Sequence, residues 1–588
     1  MRLRLVAGCC GVLLAGGAAC APAQGAESPL VGLARQRFAE LTETEERFVA
    51  AVAAGRAFDL RSDDAAENDP AKGADWPASR VISLDCIAWL CTAGDARALA
   101  AAHGVRIVGA RIEGGSLDLA SVDVPFGLSL TECYLPQGLD VANSSLRDLT
   151  LNRSRLGAAL DADGLVVARS LRAVGATIVG DANLRRLHVG DGVDFSEARI
   201  AGTVHLPSAT IDGDLRLTGA SVVAPSGAMA LNLDLARVGG TVYLDEESDS
   251  ASNGAVKETT PFTARGEVRL VLAKIGGNLD CWGGRFDGGG EARADQPADA
   301  LYANGLQVDG SVFLAHGLTV RGKVSLRTAR IEHYLNIYEL GDGQGPAFGD
   351  AAVDLQACRV GTLNCDTLAW TRPGRLALNG FQYDRIELVK QQGDVETQLP
   401  LHEADLLAWL KLPSGEPFFP QTYEQLATVL HREGYENQAR EVLIRKEQEL
   451  GLRAHSWRER LWYRVLGPAI GYGHDPLRGL KWLLAVWLVG AAVFGMAHRR
   501  GLLASPAALE APAAATAGDD SARPWLQPLI YALDVLVPLV DFGQARQWVP
   551  DHRRPGGVAL QWFHWCLIVV GWTLTTLVVA GITGLVRR

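Results

Sequence analysis

Apolar and polar residues alternate along the middle of the chain, and the alternating pattern recurs every eleven residues. Residues 198–206 read A-R-I-A-G-T-V-H-L, and residues 209–217 read A-T-I-D-G-D-L-R-L. Apolar side chains at every second position are typical of a β-strand that buries one face. A strand this short cannot bury that face alone, whereas stacked copies bury it together. The pattern therefore predicts a solenoid of stacked strands.

The same frame extends over a long stretch of the chain. It returns clearly at residues 176–178, 236–244, 273–279, 306–314, 318–326 and 329–331, and weaker copies reach back to residue 110 and forward to residue 361. Two such units make a coil of about 22 residues, a usual size for a parallel β-helix. We therefore predict a mainly β fold, with a right-handed parallel β-helix over residues 104–390.

Other positions of the repeat predict turns, surface and loops. Gly202, Gly213 and Gly322 are expected at bends that need a positive φ. Polar side chains between the apolar positions, including Thr203 and His205, are expected to face outward. Polar insertions at residues 245–266, 284–297 and 341–349 are expected to leave the solenoid as loops, either as a binding face or as tolerated solvated insertions.

Helical patterns flank the repeat on both sides. Residues 42–45, T-E-T-E, form a capping box before an apolar run, which predicts a helix over residues 43–54. With a second helix at about 79–90, residues 27–103 are expected to form a helical cap on the solenoid. After the repeat, residues 422–432 and 436–450 predict a helical hairpin within the region 400–476.

The first residues have the pattern of a secretory signal. Arg2 and Arg4 precede an apolar stretch at residues 5–19, and Ala21-Pro-Ala23 offers a cleavage site. Residues 1–23 are therefore predicted to be a removed signal peptide. Cys20, after Gly-Ala-Ala, leaves lipoprotein processing open as an alternative.

Two later segments, at about 477–497 and 558–586, are apolar enough to span a bilayer, so residues 477–588 are predicted to be a membrane anchor. Between them, residues 525–542 are apolar but contain two prolines, Asp534 and Asp541. Prolines and acidic residues disfavour a simple crossing, which predicts a re-entrant or interfacial segment with the two aspartates as candidate functional residues. If the signal is used, the β-helix lies on the outer side of the inner membrane, and the lipid bilayer is the first partner.

Charge and cysteine content narrow the classes of function. The net charge of −11 and the isoelectric point near 5.6 argue against polyanion binding by the whole chain, so no nucleic-acid partner is expected. Six cysteines lie in the predicted exported part: Cys86, Cys91, Cys133, Cys281, Cys358 and Cys365. An even number outside the cytoplasm permits disulfides, and buried free thiols are the alternative.

Motifs for a metal, a nucleotide or a nucleophilic serine are not found in the sequence, so no cofactor and no metal are predicted. The candidate site residues on the solenoid are Asp212, Asp214 and Arg216. β-Helix enzymes that act on acidic sugars place such charged residues on one strand face. The same alternation also arises on any outward face of a solenoid, so a purely structural role is the competing interpretation.

Several strings outside the repeat resemble one bacterial family. They are LTETEERFVAAV at 41–52, PQTYEQLATVLHREGYENQAREVLIRKEQE at 420–449, GYGHDPLRGLKWL at 471–483, YALDVLVPLVDFGQ at 531–544 and GWTLTTLVVAGITGLVRR at 571–588. With the A-R-I-x-G repeats, they are similar to uncharacterised membrane-anchored β-helix proteins, some of which carry the automatic label membrane-associated oxidoreductase. The resemblance implies the fold and the anchor, and it carries over no catalytic residue.

These features predict a membrane-anchored envelope protein that acts as a scaffold or binding module for a protein or an envelope polymer. The alternative is an enzyme, either a membrane-associated oxidoreductase or a β-helix enzyme that acts on glycans. The sequence favours the first because it shows no convergent polar site. It leaves the oligomeric state open.

Overall fold

The computed structural model describes residues 28–100, 103–114, 117–247, 259–289, 298–315, 317–337, 352–365, 375–392, 395–399, 406, 410, 418–506, 509, 526–537 and 541–583. The chain divides into two compact units. The first contains the residues up to Phe313 together with Leu318–Val324, and the second contains Leu314–Gly317 and Ser325–Arg588. The predicted signal peptide, residues 1–23, lies outside the described residues, as do residues 248–258, 290–297 and 341–349 of the predicted insertions.

The first unit opens with four helices, α1 (Pro29–Arg37), α2 (Glu43–Ala53), α3 (Leu84–Thr92) and α4 (Gly94–Ala100), and three short 3-10 turns, Ala65–Glu67, Pro70–Asp75 and Ala78–Arg80. The capping box is confirmed, because Thr42 Oγ1 accepts from the Glu45 amide at 3.2 Å and Glu45 Oε2 accepts from the Thr42 amide at 3.0 Å. The predicted helix at 79–90 was wrong at its start. Val81–Ser83 is a strand that pairs with Arg111–Glu113, so the helix begins only at Leu84.

The repeat folds into coils of four short parallel strands, so the prediction of a solenoid of stacked strands is confirmed. One coil contains the strands Ser145–Leu146, Leu149–Thr150, Arg155–Leu156 and Leu160–Asp161. The strands pair with their counterparts about one coil further along the chain, as in Arg155 with Thr177 and Leu160 with Ala182. Each coil is therefore two eleven-residue units, and most strands are shorter than the alternation suggested.

Equivalent strands form four columns, which we number in the order in which a coil visits them. Column 1 contains Asp123–Val124, Ser145–Leu146, Val166–Val167, His188–Val189, Thr210–Ile211, Arg237–Val238, Lys274–Ile275 and Gln307–Val308. Column 2 contains Phe58–Asp59, Val105–Val108, Leu128–Thr131, Leu149–Thr150, Leu171–Arg172, Val193–Asp194, Leu215–Arg216, Val242–Tyr243, Leu279–Asp280 and Val312–Phe313.

Column 3 contains Val81–Ser83, Arg111–Glu113, Tyr134–Leu135, Arg155–Leu156, Thr177–Ile178, Arg199–Ile200, Ser221–Val223, Thr263–Arg265, Arg285–Asp287 and Thr319–Arg321. Column 4 contains Leu117–Asp118, Leu139–Asp140, Leu160–Asp161, Ala182–Asn183, Val204–His205, Met229–Asn232, Glu267–Arg269, Asp299–Tyr302 and Lys323–Ser325. Thr263–Arg265 lies inside the insertion predicted at 245–266, and Arg285–Asp287 lies inside the insertion predicted at 284–297. The end of the first and the start of the second are therefore strands rather than loops.

The apolar residues of all four columns point into one continuous core. Ile200, Val204, Leu215 and Leu217 are 0–1% exposed, and the recurring alanines, such as Ala198, are equally buried. The prediction that the Thr203 side chain faces outward was wrong, because this residue is only 5% exposed. Its hydroxyl donates to the Met229 carbonyl at 2.6 Å and its amide donates to Asp181 Oδ1 at 2.8 Å, so it links neighbouring coils.

The turns of the solenoid use a positive φ at a different position from the one predicted. Left-handed residues recur every ten or eleven positions from Ser121 to Gly219: Ser121, Glu132, Asn143, Arg153, Gly164, Gly175, Arg186, Glu197, Ser208 and Gly219. Most are not glycine, and their amides donate to the next coil, as Glu132 does to Asn152 O at 2.9 Å. Such a bond offsets the roughly 1–2 kcal/mol that a left-handed non-glycine residue costs.

The prediction holds at Gly322, where φ is +130°, but it was wrong for Gly202 and Gly213, which do not have a positive φ. Gly202 is needed for space, since a Cβ there would stand 2.4 Å from the Gly180 carbonyl oxygen of the preceding coil.

The second unit contains the strands Arg330–Ile337, Ala352–Asp354, Arg359–Cys365, Arg375–Ala377, Gln382–Gln392 and Val395–Leu399. Three of them, Arg330–Ile337, Arg359–Cys365 and Gln382–Gln392, pair in parallel. The predicted helical hairpin is α5 (Pro420–Arg432) and α6 (Glu436–Leu452). It packs against Gln382–Gln392, where Gln425 Nε2 donates to the Tyr383 carbonyl at 2.7 Å.

The remaining helices are α7 (Trp457–Ile470), which is followed by a 3-10 turn at Gly471–Gly473, α8 (Pro476–Arg499), α9 (Pro528–Leu536), α10 (Gln544–Gln547) and α11 (Gly557–Ile582). Helices α8, α9 and α11 pack around Phe494, Tyr531 and Leu536. α9 and α11 approach very closely, because a Cβ on Gly571 would stand 1.9 Å from the Leu536 carbonyl oxygen. A short antiparallel pair, Leu503–Ala504 with Val549–Pro550, joins the chain after α8 to the chain before α11.

Two helical segments are long and apolar enough to cross a membrane, Leu477–Arg499 and Gly557–Ala580. Only 22% and 11% of their most apolar stretches are buried. A core helix of a soluble protein would be mostly buried, so these helices leave a large apolar surface without cover from the described residues.

Candidate functional site

The outward residues of column 3 form a continuous line of arginines and hydroxyls. From one coil to the next they are Arg155, Thr177, Arg199, Ser221, Thr263, Arg285 and Thr319. Neighbouring coils stack at about 4.8 Å, the usual distance between paired strands. We call Arg155, Thr177 and Arg199 the arginine ladder. Neither guanidinium of the ladder bonds to another residue in the part of the chain that the structure describes.

A cleft of about 630 Å³ opens over the arginine ladder. One wall is the ladder itself, and the other is the segment from Arg61 to Ala71, which includes the turn at Pro70–Asp75. Four arginines (Arg61, Arg153, Arg155, Arg199) and two acidic residues (Asp69, Glu132) line it. The cleft therefore has an excess of two positive charges within a chain whose net charge is −11.

The edge of the cleft is fixed by a chain of ion pairs. Arg61 Nη2 lies 2.7 Å from Asp59 Oδ2, and this hydrogen bond lowers the pKa of the Asp59 carboxyl. Glu132 lies between two guanidinium groups, 3.5 Å from Arg61 and 3.6 Å from Arg153. Arg61 and Arg153 are thus already neutralised in part, whereas the ladder arginines offer their full charge to a ligand.

The predicted solenoid residues lie in or beside column 2 and bond mainly to the solenoid. Arg216 Nη2 donates to Asp214 Oδ2 at 2.8 Å, and its guanidinium carbon lies 4.5 Å from the centre of the Tyr243 ring. Asp214 Oδ1 accepts from the Thr241 amide of the next coil at 2.9 Å. Asp212 follows the strand Thr210–Ile211 of column 1 and is exposed. The structure brings Asp214 and Arg216 together and gives both a structural explanation.

Asp214 belongs to a repeated arrangement that links coils through side-chain oxygens. Asp181 accepts from the Thr203 amide at 2.8 Å, and Asn278 Oδ1 accepts from the Ser311 amide at 2.8 Å. Thr241 Oγ1 accepts from the Asn278 amide at 3.1 Å. These residues stand immediately before a strand, so an oxygen-bearing side chain there stabilises the stack rather than marking a reaction centre.

A carboxyl group with a raised pKa lies further along column 2. Asp280 stands between Tyr243 and Phe313 in the stack, and its Oδ1 accepts from the Trp282 amide at 3.1 Å. Burial raises the pKa of Asp280 from 3.8 to about 6, and nearby Asp245 adds to the shift. The hydrogen bond opposes the shift but does not overcome it. Asp280 is therefore a structural aspartate that holds its proton more tightly than a free carboxyl group, between two aromatic residues of its column.

The two predicted aspartates of the apolar region also bond within the chain. Asp534 accepts from the Phe542 amide at 2.8 Å and from the Ala545 amide at 2.7 Å. Asp541 accepts from the Gly543 amide at 2.8 Å and pairs with Arg546. The carboxylates hold α10 and the preceding turn against α9, and they do not meet at one point.

The six cysteines of the predicted exported part are all buried, and none of them forms a disulfide. Burial raises the pKa of Cys86, Cys91, Cys133 and Cys358 to about 12, so these thiols stay protonated and unreactive at neutral pH. Among the described residues, no group of three or more His, Cys, Asp and Glu side chains could hold a metal ion.

Comparison with protein-family models, with curated proteins and with solved structures finds no match to this chain. The resemblance to the membrane-anchored β-helix family therefore stays a prediction.

Sequence reasoning missed the arginine ladder, although its signal was present. The variable position of the A-x-I frame is Thr in 176–178 and Arg in 198–200. Residues 22 apart share a column, so a search at twice the repeat length would have aligned Arg155, Thr177 and Arg199.

Proposed function

We propose that this protein is a membrane-anchored envelope binding module, in which a right-handed parallel β-helix is held at the inner membrane by α8 and α11. The observation that carries the proposal is the uncovered apolar surface of these two helices. Leu488, Val489 and Val569 are 52%, 57% and 64% exposed. Contiguous apolar surface of this extent is costly in water and favourable in lipid.

The exposed side chains of helix α7 also favour a bilayer, and they indicate where its surface would lie. Its apolar residues Trp457, Leu461 and Trp462 are 67%, 54% and 58% exposed, and basic residues lie between and beside them. The opposite side of α7 packs through Leu466 and Ile470 against Leu577 and Val578, near the end of α11. A helix with exposed tryptophans and arginines beside the end of a span suits the interface between lipid and water.

The far ends of the two spans lie close together in this proposal. The antiparallel pair of Leu503–Ala504 with Val549–Pro550 ties the end of α8 to the start of α11. Two antiparallel spans joined in this way put both ends of the segment between them on one side of the membrane. Helix α9 packs against Trp487 of α8 and Gly571 of α11, so in this proposal it enters the bilayer from that side as a re-entrant element. With a used signal peptide that side is the cytoplasm, and the β-helix lies outside it.

We propose binding rather than catalysis because the side chains that line the cleft are suited to holding a ligand. Arg155 and Arg199 carry charge without a partner, and Thr177 between them adds a hydroxyl. Arginine and hydroxyl groups bind anions and polar groups well, but at neutral pH neither type is a ready general acid or base. The two carboxyl groups of the lining are already engaged, Asp69 by the Ala71 amide and Glu132 by Arg61 and Arg153.

The anchoring is tested by washing membranes that contain the full chain at alkaline pH. The protein is expected to stay in the membrane pellet. Val569→Lys and Leu488→Lys, which place charge on the lipid-facing sides of the two spans, should move protein into the soluble or aggregated fraction. Val166→Lys on the 42%-exposed position of column 1 is the matched control and should change nothing. Release of the unaltered chain by the wash would refute the proposal.

A further inference from the structure

We infer that the arginine ladder binds an acidic polysaccharide that lies along column 3. The inference names the class of ligand for the proposed binding module. It rests on the proposal that the protein binds a ligand and does not depend on the membrane anchor. Anchoring and ligand binding are separate measurements, so either can fail alone.

Spacing is the first argument. Arg155 and Arg199 are separated by the single residue Thr177 in the column, so their backbones stand two coils, or about 10 Å, apart. The line continues with Ser221, Thr263 and then Arg285, which lies three coils beyond Arg199. A row of charges along one axis fits a linear polymer with repeating negative groups better than it fits a single small anion.

The chemistry of the row is the second argument. A guanidinium can donate two parallel hydrogen bonds to one carboxylate, which favours carboxylate recognition over mere charge attraction. The hydroxyls of Thr177 and Ser221 stand between the arginines, where they can donate to or accept from sugar hydroxyls. Alternating carboxylates and hydroxyls are the features of an acidic polysaccharide.

The cleft argues against nucleic acid, which is the other common linear polyanion. Proteins that bind single strands stack bases on aromatic side chains. The described lining of the cleft contains no aromatic side chain, and Tyr134, which precedes Arg155 in column 3, packs against the turn at Pro70–Asp75.

The ladder arginines are the residues to test, since they carry the binding charge and no described residue bonds to them. Removing them leaves the ion pairs of Arg61, Glu132 and Arg153 in place. Arg237 and Lys274 of column 1 form the control, because both are exposed and outward on a different column and carry the same total charge; they are adjacent in the stack, whereas Thr177 separates Arg155 from Arg199. The double variants R155Q/R199Q and R237Q/K274Q therefore lose the same charge from different faces.

The experiment measures binding of polygalacturonate to the full chain in detergent micelles, with dextran as the neutral probe and single-stranded DNA as the competing polyanion. Polygalacturonate should bind, dextran should not, and added salt should weaken the binding. R155Q/R199Q should weaken it about tenfold or more, as expected for two charge-assisted contacts. R237Q/K274Q should change it less than about threefold.

Unchanged thermal unfolding of both double variants shows that the fold is intact. Three results would overturn the inference. They are equal affinity for polygalacturonate and dextran, equal losses in both double variants, and tighter binding of single-stranded DNA than of polygalacturonate.

Discussion

Replacing Asp280 tests how much one partly buried carboxyl group changes the stability of the solenoid. The Asp280 carboxyl is held between Tyr243 and Phe313, and burial raises its pKa from 3.8 to about 6. Replacing it by asparagine keeps an oxygen that can accept from the Trp282 amide and removes the charge. The variant D280N should therefore be more stable than the unaltered protein wherever Asp280 is ionised.

The direction follows from the pKa. A carboxyl whose pKa is raised in the folded state keeps its proton there while the unfolded chain loses it. The contribution of Asp280 to the stability of the unaltered protein therefore falls as pH rises from about 4 to about 6 and stays lower above that interval. A pKa raised by about two units corresponds to at most about 3 kcal/mol. D280N should show no gain below about pH 4 and a gain of up to about 3 kcal/mol at about pH 8.

The assay is thermal unfolding of both proteins at several pH values in one detergent. A gain of this size shifts the unfolding temperature of the solenoid by several degrees. D118N is the control, because Asp118 accepts from the Ala120 amide at 2.9 Å in the same kind of turn but is exposed. A gain of D280N that is equal at both ends of the pH range, or an equal gain in D118N, would refute the reasoning.

Three further predictions test the core, the thiols and the helix packing. Leu217→Asp should prevent folding of the solenoid, because Leu217 is 0% exposed and an unpaired buried carboxylate costs several kcal/mol. Arg216→Ala should cost less than about 1 kcal/mol, because it removes only an exposed ion pair. Equal losses of unfolding temperature in the two variants would show the assigned strand register to be wrong. Cys133 should resist a thiol reagent until denaturant is added, since burial raises its pKa to about 12, and fast labelling of the native protein would contradict this. Gly571→Leu should displace α9, because a Cβ at this position would stand 1.9 Å from the Leu536 carbonyl oxygen, and protease cleavage near α9 should rise; an unchanged cleavage pattern would count against this packing.

The periodic part of the sequence predicted the solenoid well, because the alternation of buried and exposed residues can be read within a few residues of the chain. Each apolar position, such as Ile200 or Leu215, reports directly on burial, and the repeat multiplies the signal. The capping box at Thr42 and the helices α5 and α6 were predictable for the same reason, since their signals lie within a few residues of the chain.

The details that failed depend on neighbouring coils. Gly202 was expected to adopt a positive φ, but it is needed because the Gly180 carbonyl lies where a side chain would be. Glu132 and Ser208 carry the positive φ instead, and their amides bond to the following coil. A sequence window holds no information on which coil lies above, so these roles could not be assigned.

The candidate site shows the same division. Asp214 and Arg216 attracted notice as charged neighbours in sequence, yet their partners include Thr241 and Tyr243 of the next coil. Arg155 and Arg199 share a column because residues 22 apart stack, which a comparison of eleven-residue units does not reveal. The negative net charge also concealed a cleft with a local positive excess, because a total over the whole chain says nothing about distribution.

The most direct test of membrane anchoring is the sidedness of single cysteines in the full chain. Cysteines would be introduced at Asp212 on the solenoid and at Ser505 after α8, in a chain where Cys566 is replaced by serine. With a maleimide that cannot cross membranes, position 212 should label from the outer side only, and position 505 should label only after the inner membrane is opened. Labelling of both positions from the same side would contradict the account, because α8 would then not cross the membrane.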